Sequence, residues 1–281
     1  MSGVWRCGAH ELPIDRTLIM GILNVTPDSF SDGGRYHNDP AVAIAHGRKM
    51  ALEGAAIIDV GGESTRPGAA AVTRAEEIQR VEPVVRSLSH DFGLVASVDT
   101  RHAEVARAAV AAGASVINDV SGFGDSAMVD VAAGCEAGLV VMHMRGEPGT
   151  MQHTPEYGDV VAEVIAHLGA RAANLEAAGV APERIMVDPG IGFGKTLAHN
   201  LALLRAIPHI ASLGYPVLVG ASRKSMLGAL LDEPDPLKRL EGSLAVAAWA
   251  ALHGAAAVRV HDVAETVRVL RTWQALEGAA T

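Results

Sequence analysis

Short, continuously apolar runs alternate with Ala-rich helical stretches along the chain. The runs that read as strands are Leu18–Leu23, Ala56–Val60, Leu94–Val98, Ser115–Ile117, Leu139–Met142, Ile185–Val187, Pro216–Val219 and Ala257–Val260. Between them the spacing predicts helices over Pro40–Glu53, Ala75–Ser89, Ala103–Ala112, Ala127–Gly134, Val160–Gly179, Ala198–Ala206, Leu237–His253 and Val263–Leu276. Strands without polar alternation suit a parallel sheet buried on both faces. Glycine after a helix supplies the left-handed residue that ends it, as expected at Gly54, Gly113, Gly138, Gly179, Gly214 and Gly254. Eight strand–helix units predict a single (β/α)8 TIM barrel over residues 17–277 within one domain of 1–281. A six-stranded open sheet with extra helices is the structural alternative. Residues 1–16 carry Pro13 and no helical pattern, and read as a short N-terminal extension, a hairpin over the barrel's bottom.

Polar residues gather where each apolar run stops. Asn24, Thr26, Asp28 and Ser29 follow the first run; Asp59, Glu63, Thr65 and Arg66 end or follow the second. Asp99, then Asn118 and Asp119, then His143 and Asp188 close the next four. Ser222, Arg223 and Lys224 follow the seventh, and Arg259, His261 and Asp262 end the eighth. Catalytic groups of a barrel sit at these C-terminal strand ends, where the strand–helix loops converge. A single Asp or Asn there is as well explained as a helix N-cap, and Asp119 and Asp262 fit that role. Eight such endings together read as an active-site floor.

Composition narrows the chemistry. The chain has 281 residues, 49% hydrophobic and 20% charged, which fits a globular fold with a sizeable core. A net charge of −9 speaks against a nucleic-acid binder, though not against a small anionic substrate. Two cysteines, Cys7 and Cys135, give no disulfide framework. The uncharged stretch Gly242–Val258 is short for a span and is broken by His253 and Gly254, so it reads as a buried helix feeding a strand. No basic region precedes an apolar run at the N-terminus, and a cytoplasmic protein with no membrane partner is expected.

The string from Pro189 to Thr196 looks like a P-loop, but Pro189 stands where the motif needs glycine, and it lacks the third glycine of a dinucleotide fingerprint. A tight turn beside a flat ligand fits better, with Phe193 as contact. Gly33-Gly34 and Gly61-Gly62 mark loops of the kind that close over substrate. No His-rich metal spacing and no Gly-x-Ser-x-Gly elbow occurs. His10, His37, His46, His90, His167, His199 and His209 read as surface or packing residues. Asn24 or Asp28 could hold a hard, oxygen-liganded ion such as Mg2+ shared with substrate phosphates.

Met20-Gly-Ile-Leu-Asn-Val-Thr-Pro-Asp-Ser-Phe-Ser-Asp-Gly-Gly34 resembles the first signature of the dihydropteroate synthases, and Asp59-Val-Gly-Gly-Glu-Ser-Thr-Arg-Pro-Gly68 is similar to the second. Six shorter matches follow in family order: Ser97–Thr100, Ile117–Asp119, Val141–His143, Asp188–Lys195, Gly220–Lys224 and Val258–Asp262. The resemblance implies a (β/α)8 barrel, in agreement with the strand count, and a typically homodimeric enzyme of folate synthesis. Its reaction joins 6-hydroxymethyl-7,8-dihydropterin diphosphate to 4-aminobenzoate, giving 7,8-dihydropteroate and diphosphate, by a dissociative route.

By that resemblance Asp99, Asn118, Met142, Asp188, Phe193 and Lys224 form the pterin site. Asn24, Thr65, Arg259 and His261 hold the diphosphate with Mg2+, bound through Asn24 and Asp28. Phe30, Thr65, Arg66, Pro67, Ser222 and Lys224 form the aminobenzoate site, and Asp99, Asp188, Lys224 and Arg66 are the catalytic set. On residue type alone Asp28 could cap a turn, Ser222 a helix, Thr65 could fix its loop, and Met142 could be core. The competing readings are a pterin-dependent methyltransferase serving a corrinoid protein and a pterin-binding paralogue without synthase activity. The full first-loop signature and Ser222-Arg223-Lys224 favour the synthase.

Overall fold

The computed structural model describes residues 3–26, 39–63, 72–146, 151 and 155–278. A hairpin comes first, β1 (Val4–Cys7) with β2 (His10–Pro13). Eight parallel strands follow: β3 (Leu18–Asn24), β4 (Ile57–Gly61), β5 (Ala96–Asp99), β6 (Val116–Asp119), β7 (Gly138–Met142), β8 (Ile185–Asp188), β9 (Leu218–Val219) and β10 (Ala257–Val260). Their order is β8-β7-β6-β5-β4-β3-β10-β9, and a parallel bridge between Val187 and Val217 joins the two ends into a ring. This is the (β/α)8 barrel, and the open-sheet alternative falls.

The helices are α1 (Pro40–Glu53), α2 (Arg74–Arg86), α3 (Ala103–Ala111), α4 (Ser126–Ala133), α5 (Val160–Ala177), α6 (Leu197–Arg205), α7 (Ile207–Ala211), α8 (Ser225–Leu231), α9 (Leu240–Leu252) and α10 (Val263–Leu276). Side chains fix several starts: Asp39, Thr73, Asp125 and Asp159 each accept a first-turn amide, which satisfies an otherwise orphaned donor. The expected helix Leu237–His253 is broken. Pro236–Lys238 is a 3-10 turn and α9 begins at Leu240, because Arg239 turns to donate to the carbonyls of Arg223, Glu233 and Pro234. Helix α8 has no counterpart in the predicted pattern. Five of the six expected helix-stopping glycines have positive φ. Gly138 does not; it opens β7, where an added Cβ would lie 2.6 Å from Cys7 Sγ.

That contact locates the hairpin. Trp5, Cys7 and Ile14 pack into one buried cluster with Leu18, Met20, Ile57, Val116, Val140, Met186, Leu218 and Ala257, so the N-terminal extension closes the barrel's lower end. The alternate residues of the same strands, among them Ile19, Ile58, Val98, Ile117, Val187 and Val258, belong to the larger core shared with the helices. Period-2 alternation therefore separates barrel interior from outer core. Two residues beyond the interior set stand Asp59, Asn118, Met142, Asp188, Gly220 and Arg259. The barrel interior turns from apolar to polar within one layer.

Candidate active site

Arg259, on β10, anchors the polar layer. Its Nε donates to Asp59 Oδ2 and its Nη2 to Asp99 Oδ2, both at 2.6 Å. Asp59 is wholly buried and also accepts from Ser97 Oγ at 2.5 Å and from Asn118 Nδ2 at 3.0 Å. Four strands are thus tied through one carboxylate, and the guanidinium stays charged between two carboxylates. Burial pushes the Asp99 carboxyl up, to about 7, while Arg259 pulls it back. At Gly61 an added Cβ would fall 3.5 Å from Asn24 Oδ1 and 3.6 Å from Asp99 Cβ, ordinary contact distances, so Asn24 and Asp99 flank the end of β4 as its register partners on either side.

On the opposite side Asp188 ends β8 beside Met142, its register partner on β7. Burial raises the Asp188 pKa, opposed first by Lys224 and then by the amide of Gly190, which donates to Oδ1 at 2.7 Å. Lys224 precedes α8 and reaches back over the turn after β8. Its Nζ donates to the carbonyl of Ile191 and lies 4.3 Å from the centre of the Phe193 ring. Burial lowers its pKa to about 8, with Asp188 opposing. Asp99, Asp188 and Lys224, three residues of the expected catalytic set, therefore sit in one interacting group with Asn118 and Arg259.

Ser222 is not a helix cap. Its Oγ lies 3.0 Å from His261 Nδ1 and accepts the His261 amide at 3.2 Å, which joins the loops after β9 and β10. Between Ser222 and Lys224, Arg223 holds a φ of 59°, and a paired contact with Asp262 keeps it there. Asp262 thus serves this ion pair, without a side-chain cap to α10. Asp119 is a turn anchor as well: it accepts from the amides of Ser121 and Phe123 and from the Ser121 hydroxyl. Asp28, Phe30, Thr65, Arg66 and Pro67 lie outside the described residues.

The sequence puts Asp59 on the active-site floor without a substrate and gives Ser97 and Lys195 no role, and all three are buried polar groups of this layer or its supporting turn. Each had a signal: a polar residue inside an apolar strand run, or a lysine inside a glycine turn. Among the described residues one group of side chains brings metal-ligand atoms together. Glu63, Glu77 and His102 bring ligand atoms within 4.8 Å of one another, but the Arg101 guanidinium already lies 3.3 Å from Glu63, and a nitrogen donor is poorly suited to Mg2+. Asn24, expected to hold Mg2+ with Asp28, offers an amide oxygen at the end of β3, a donor type that suits the ion, whereas Asp99 Oδ2 is taken by Arg259 at 2.6 Å.

The model of the pterin binding enzyme family matches residues 20–261. A dihydropteroate synthase of Neisseria meningitidis serogroup C is 48% identical over 276 residues, which cover 97% of each chain. Among solved structures, the Xanthomonas albilineans dihydropteroate synthase with 4-aminobenzoic acid superposes at a TM-score of 0.92 with 47% identity, covering 100% of both chains. The Burkholderia cenocepacia enzyme complexed with 7,8-dihydropteroate gives 0.90 and 47%, covering 99% of this chain and 98% of that one. With its polar layer at the strand ends and its near full-length likeness to these enzymes, the chain belongs to the pterin-binding enzymes, as a member of the dihydropteroate synthases.

Proposed function

We propose that this chain joins 6-hydroxymethyl-7,8-dihydropterin diphosphate to 4-aminobenzoate, giving 7,8-dihydropteroate and diphosphate, with the residues at the strand ends in the following roles. The observation that carries the reading is the grouping of two carboxyls, the partly exposed Asp99 on Arg259 and the buried Asp188 opposed by Lys224, in one layer at the strand ends. The N–H edge of a pterin is guanidine-like, and carboxylates are its bidentate acceptors. Asp99 and Asp188 take that edge, Asn118 and Lys224 meet the other heteroatoms, and Met142 and Phe193 line the ring.

Arg259 keeps its Nε on Asp59 while its Nη2 passes from Asp99 to a diphosphate oxygen. Asp99 is thereby freed for the pterin. His261, Asn24 and Thr65 complete the diphosphate site. Asn24 with Asp28 would hold Mg2+, whose charge offsets that of the leaving diphosphate.

The C–O bond to diphosphate breaks first, leaving a cation delocalised into the ring, and Asp99 and Asp188 stabilise the charge that develops. The aminobenzoate nitrogen, placed by Phe30, Arg66, Pro67, Ser222 and Lys224, then donates its lone pair to the methylene carbon and loses a proton. Diphosphate release from the dihydropterin substrate alone tests this order. Release without the amine is expected; strict dependence on the amine contradicts a dissociative route. Pterin binding with no turnover at all would instead indicate a binding paralogue, and methyl transfer to a corrinoid protein would indicate a methyltransferase.

A homodimer is part of this reading. Leu230 and Leu231 of α8 and Trp249 and Leu252 of α9 are exposed apolar side chains, which supports helix-mediated pairing. Sedimentation equilibrium should return twice the chain mass. No helix among the described residues is long and apolar enough to cross a membrane, in keeping with a cytoplasmic site of action.

A further inference from the structure

Lys195 ends the glycine-rich string after β8, and the reaction as described gives it no task. Its side chain is buried, yet its Nζ meets four acceptors: His143 Nδ1 at 2.9 Å, the Gly190 carbonyl at 2.9 Å, the Phe193 carbonyl at 3.0 Å and the His143 carbonyl at 3.2 Å. An ammonium has three protons and no lone pair, so these acceptors share three donors and His143 Nδ1 must accept. The imidazole proton then sits on Nε2. Burial and the neighbouring lysine keep His143 neutral, its pKa driven down to about 3. Burial also draws Lys195 down to about 7, opposed by the charge of Asp188.

The polarity of this turn is the reverse of a phosphate-binding loop. Such loops point amide N–H groups at an anion. Here carbonyls converge on a cation of the protein itself. The remaining polar groups of the turn are also tied: the Gly192 amide to Asn200 Oδ1 at 2.8 Å, the Gly194 carbonyl to the Tyr157 hydroxyl at 2.9 Å, and the Ile191 carbonyl to Lys224. Gly190 and Gly194 have positive φ, and an added Cβ at either would run into the carbonyl of His143 or Arg145. The turn is therefore held between two lysines, Lys195 from inside and Lys224 from the pocket side. The same turn carries Phe193 beneath Lys224 and the amide that orients Asp188.

We propose that Lys195 is a positioning residue of the pterin site, acting through the Gly190–Phe193 turn to set the Phe193 ring and the Asp188 carboxylate. The proposal rests on the pterin reading given above. It predicts a larger effect on the pterin substrate, because the turn carries Phe193 and orients Asp188, while Lys224 is the residue it shares with the aminobenzoate site.

The test uses Lys195→Met and Lys195→Gln in the full chain. Binding of 6-hydroxymethyl-7,8-dihydropterin is followed by calorimetry, and KM is measured for each substrate separately. For Lys195→Met, pterin affinity should fall by about 10-fold or more, and KM for the dihydropterin diphosphate should rise in step. KM for 4-aminobenzoate should rise by several-fold less, about threefold at most. Gln is one bond shorter but keeps two donors, so that variant should fall between, and it carries the test if the Met variant does not fold. Unchanged pterin affinity in a folded variant, or equal rises in both KM values, would overturn the proposal. If the wild-type protein itself binds no pterin, the functional reading fails instead.

Discussion

Arg259 and Asp59 stand 200 residues apart in sequence and 2.6 Å apart across the barrel interior. The same guanidinium reaches Asp99, so one cation joins a carboxylate that has no exposure to one that faces the pocket. Asp59 is the fixed end of this pair, because Ser97 and Asn118 also donate to it. Asp99 is the exposed end, with 14% of its side chain open.

Removing the fixed end should cost stability as well as activity. Asp59→Ala leaves three buried donors short of an acceptor and should destabilise the fold by about 3–5 kcal/mol, the usual cost of breaking a buried ion pair from one side. Urea denaturation checks this, and a loss below about 1 kcal/mol would mean that Arg259 is held elsewhere.

Asp188→Asn keeps the shape of the side chain but removes the charge set against Lys224 and the pterin edge. Steady-state kinetics should show kcat/KM for the dihydropterin substrate reduced by about 100-fold or more, with an unchanged melting temperature. A loss seen only for aminobenzoate would assign Asp188 to the wrong substrate.

Glu77 gives a pH signature of stability. Both its carboxylate oxygens are buried, and burial raises its pKa from 4.5 to about 7 against the opposing hydrogen bond of Thr100. The folded chain therefore binds a proton that the unfolded chain has lost, and the stability present below pH 4.5 declines as pH rises through 7. The decline attributable to this group is at most about 3 kcal/mol. Glu77→Gln should flatten the melting temperature between pH 5 and pH 8, a range set by those two values. An unaltered slope in the variant would place the titrating group elsewhere.

Trp5 is buried far from the strand ends that carry chemistry, with its indole N–H donating to the Arg184 carbonyl at 2.9 Å. Trp5→Ala should cost about 3–5 kcal/mol through the cavity left under the barrel. Its kcat at a temperature where the variant is folded should match that of the parent. A kcat loss there would tie the lower plug to the active site.

The strand–helix alternation was legible because each barrel strand is an apolar run ended by a polar residue, and period-2 spacing puts that residue inside. Asp99, Asp188 and Arg259 were found this way. Asp59 was noted at a strand end but its part was hidden, since only the closed ring shows that Ser97, Asn118 and Arg259 point at it. Lys195 was set aside with a motif it does not fulfil, and its four acceptors come from backbone carbonyls and a histidine 52 residues away. The break at Arg239 escaped the pattern for a similar reason. Local spacing favours a continuous helix, while three carbonyls of the preceding segment, those of Arg223, Glu233 and Pro234, draw the side chain out of it.

The most direct measurement is dihydropteroate formation from dihydropterin diphosphate and 4-aminobenzoate, with and without Mg2+, in the wild-type chain and in Lys224→Ala. Metal-dependent product from the wild type, cut by about 100-fold or more in the variant, is the predicted result. Product formation that is indifferent to Lys224 would contradict the placement of the pterin between Asp188, Phe193 and this lysine. A wild-type chain that binds pterin yet makes no product would contradict the synthase reaction itself.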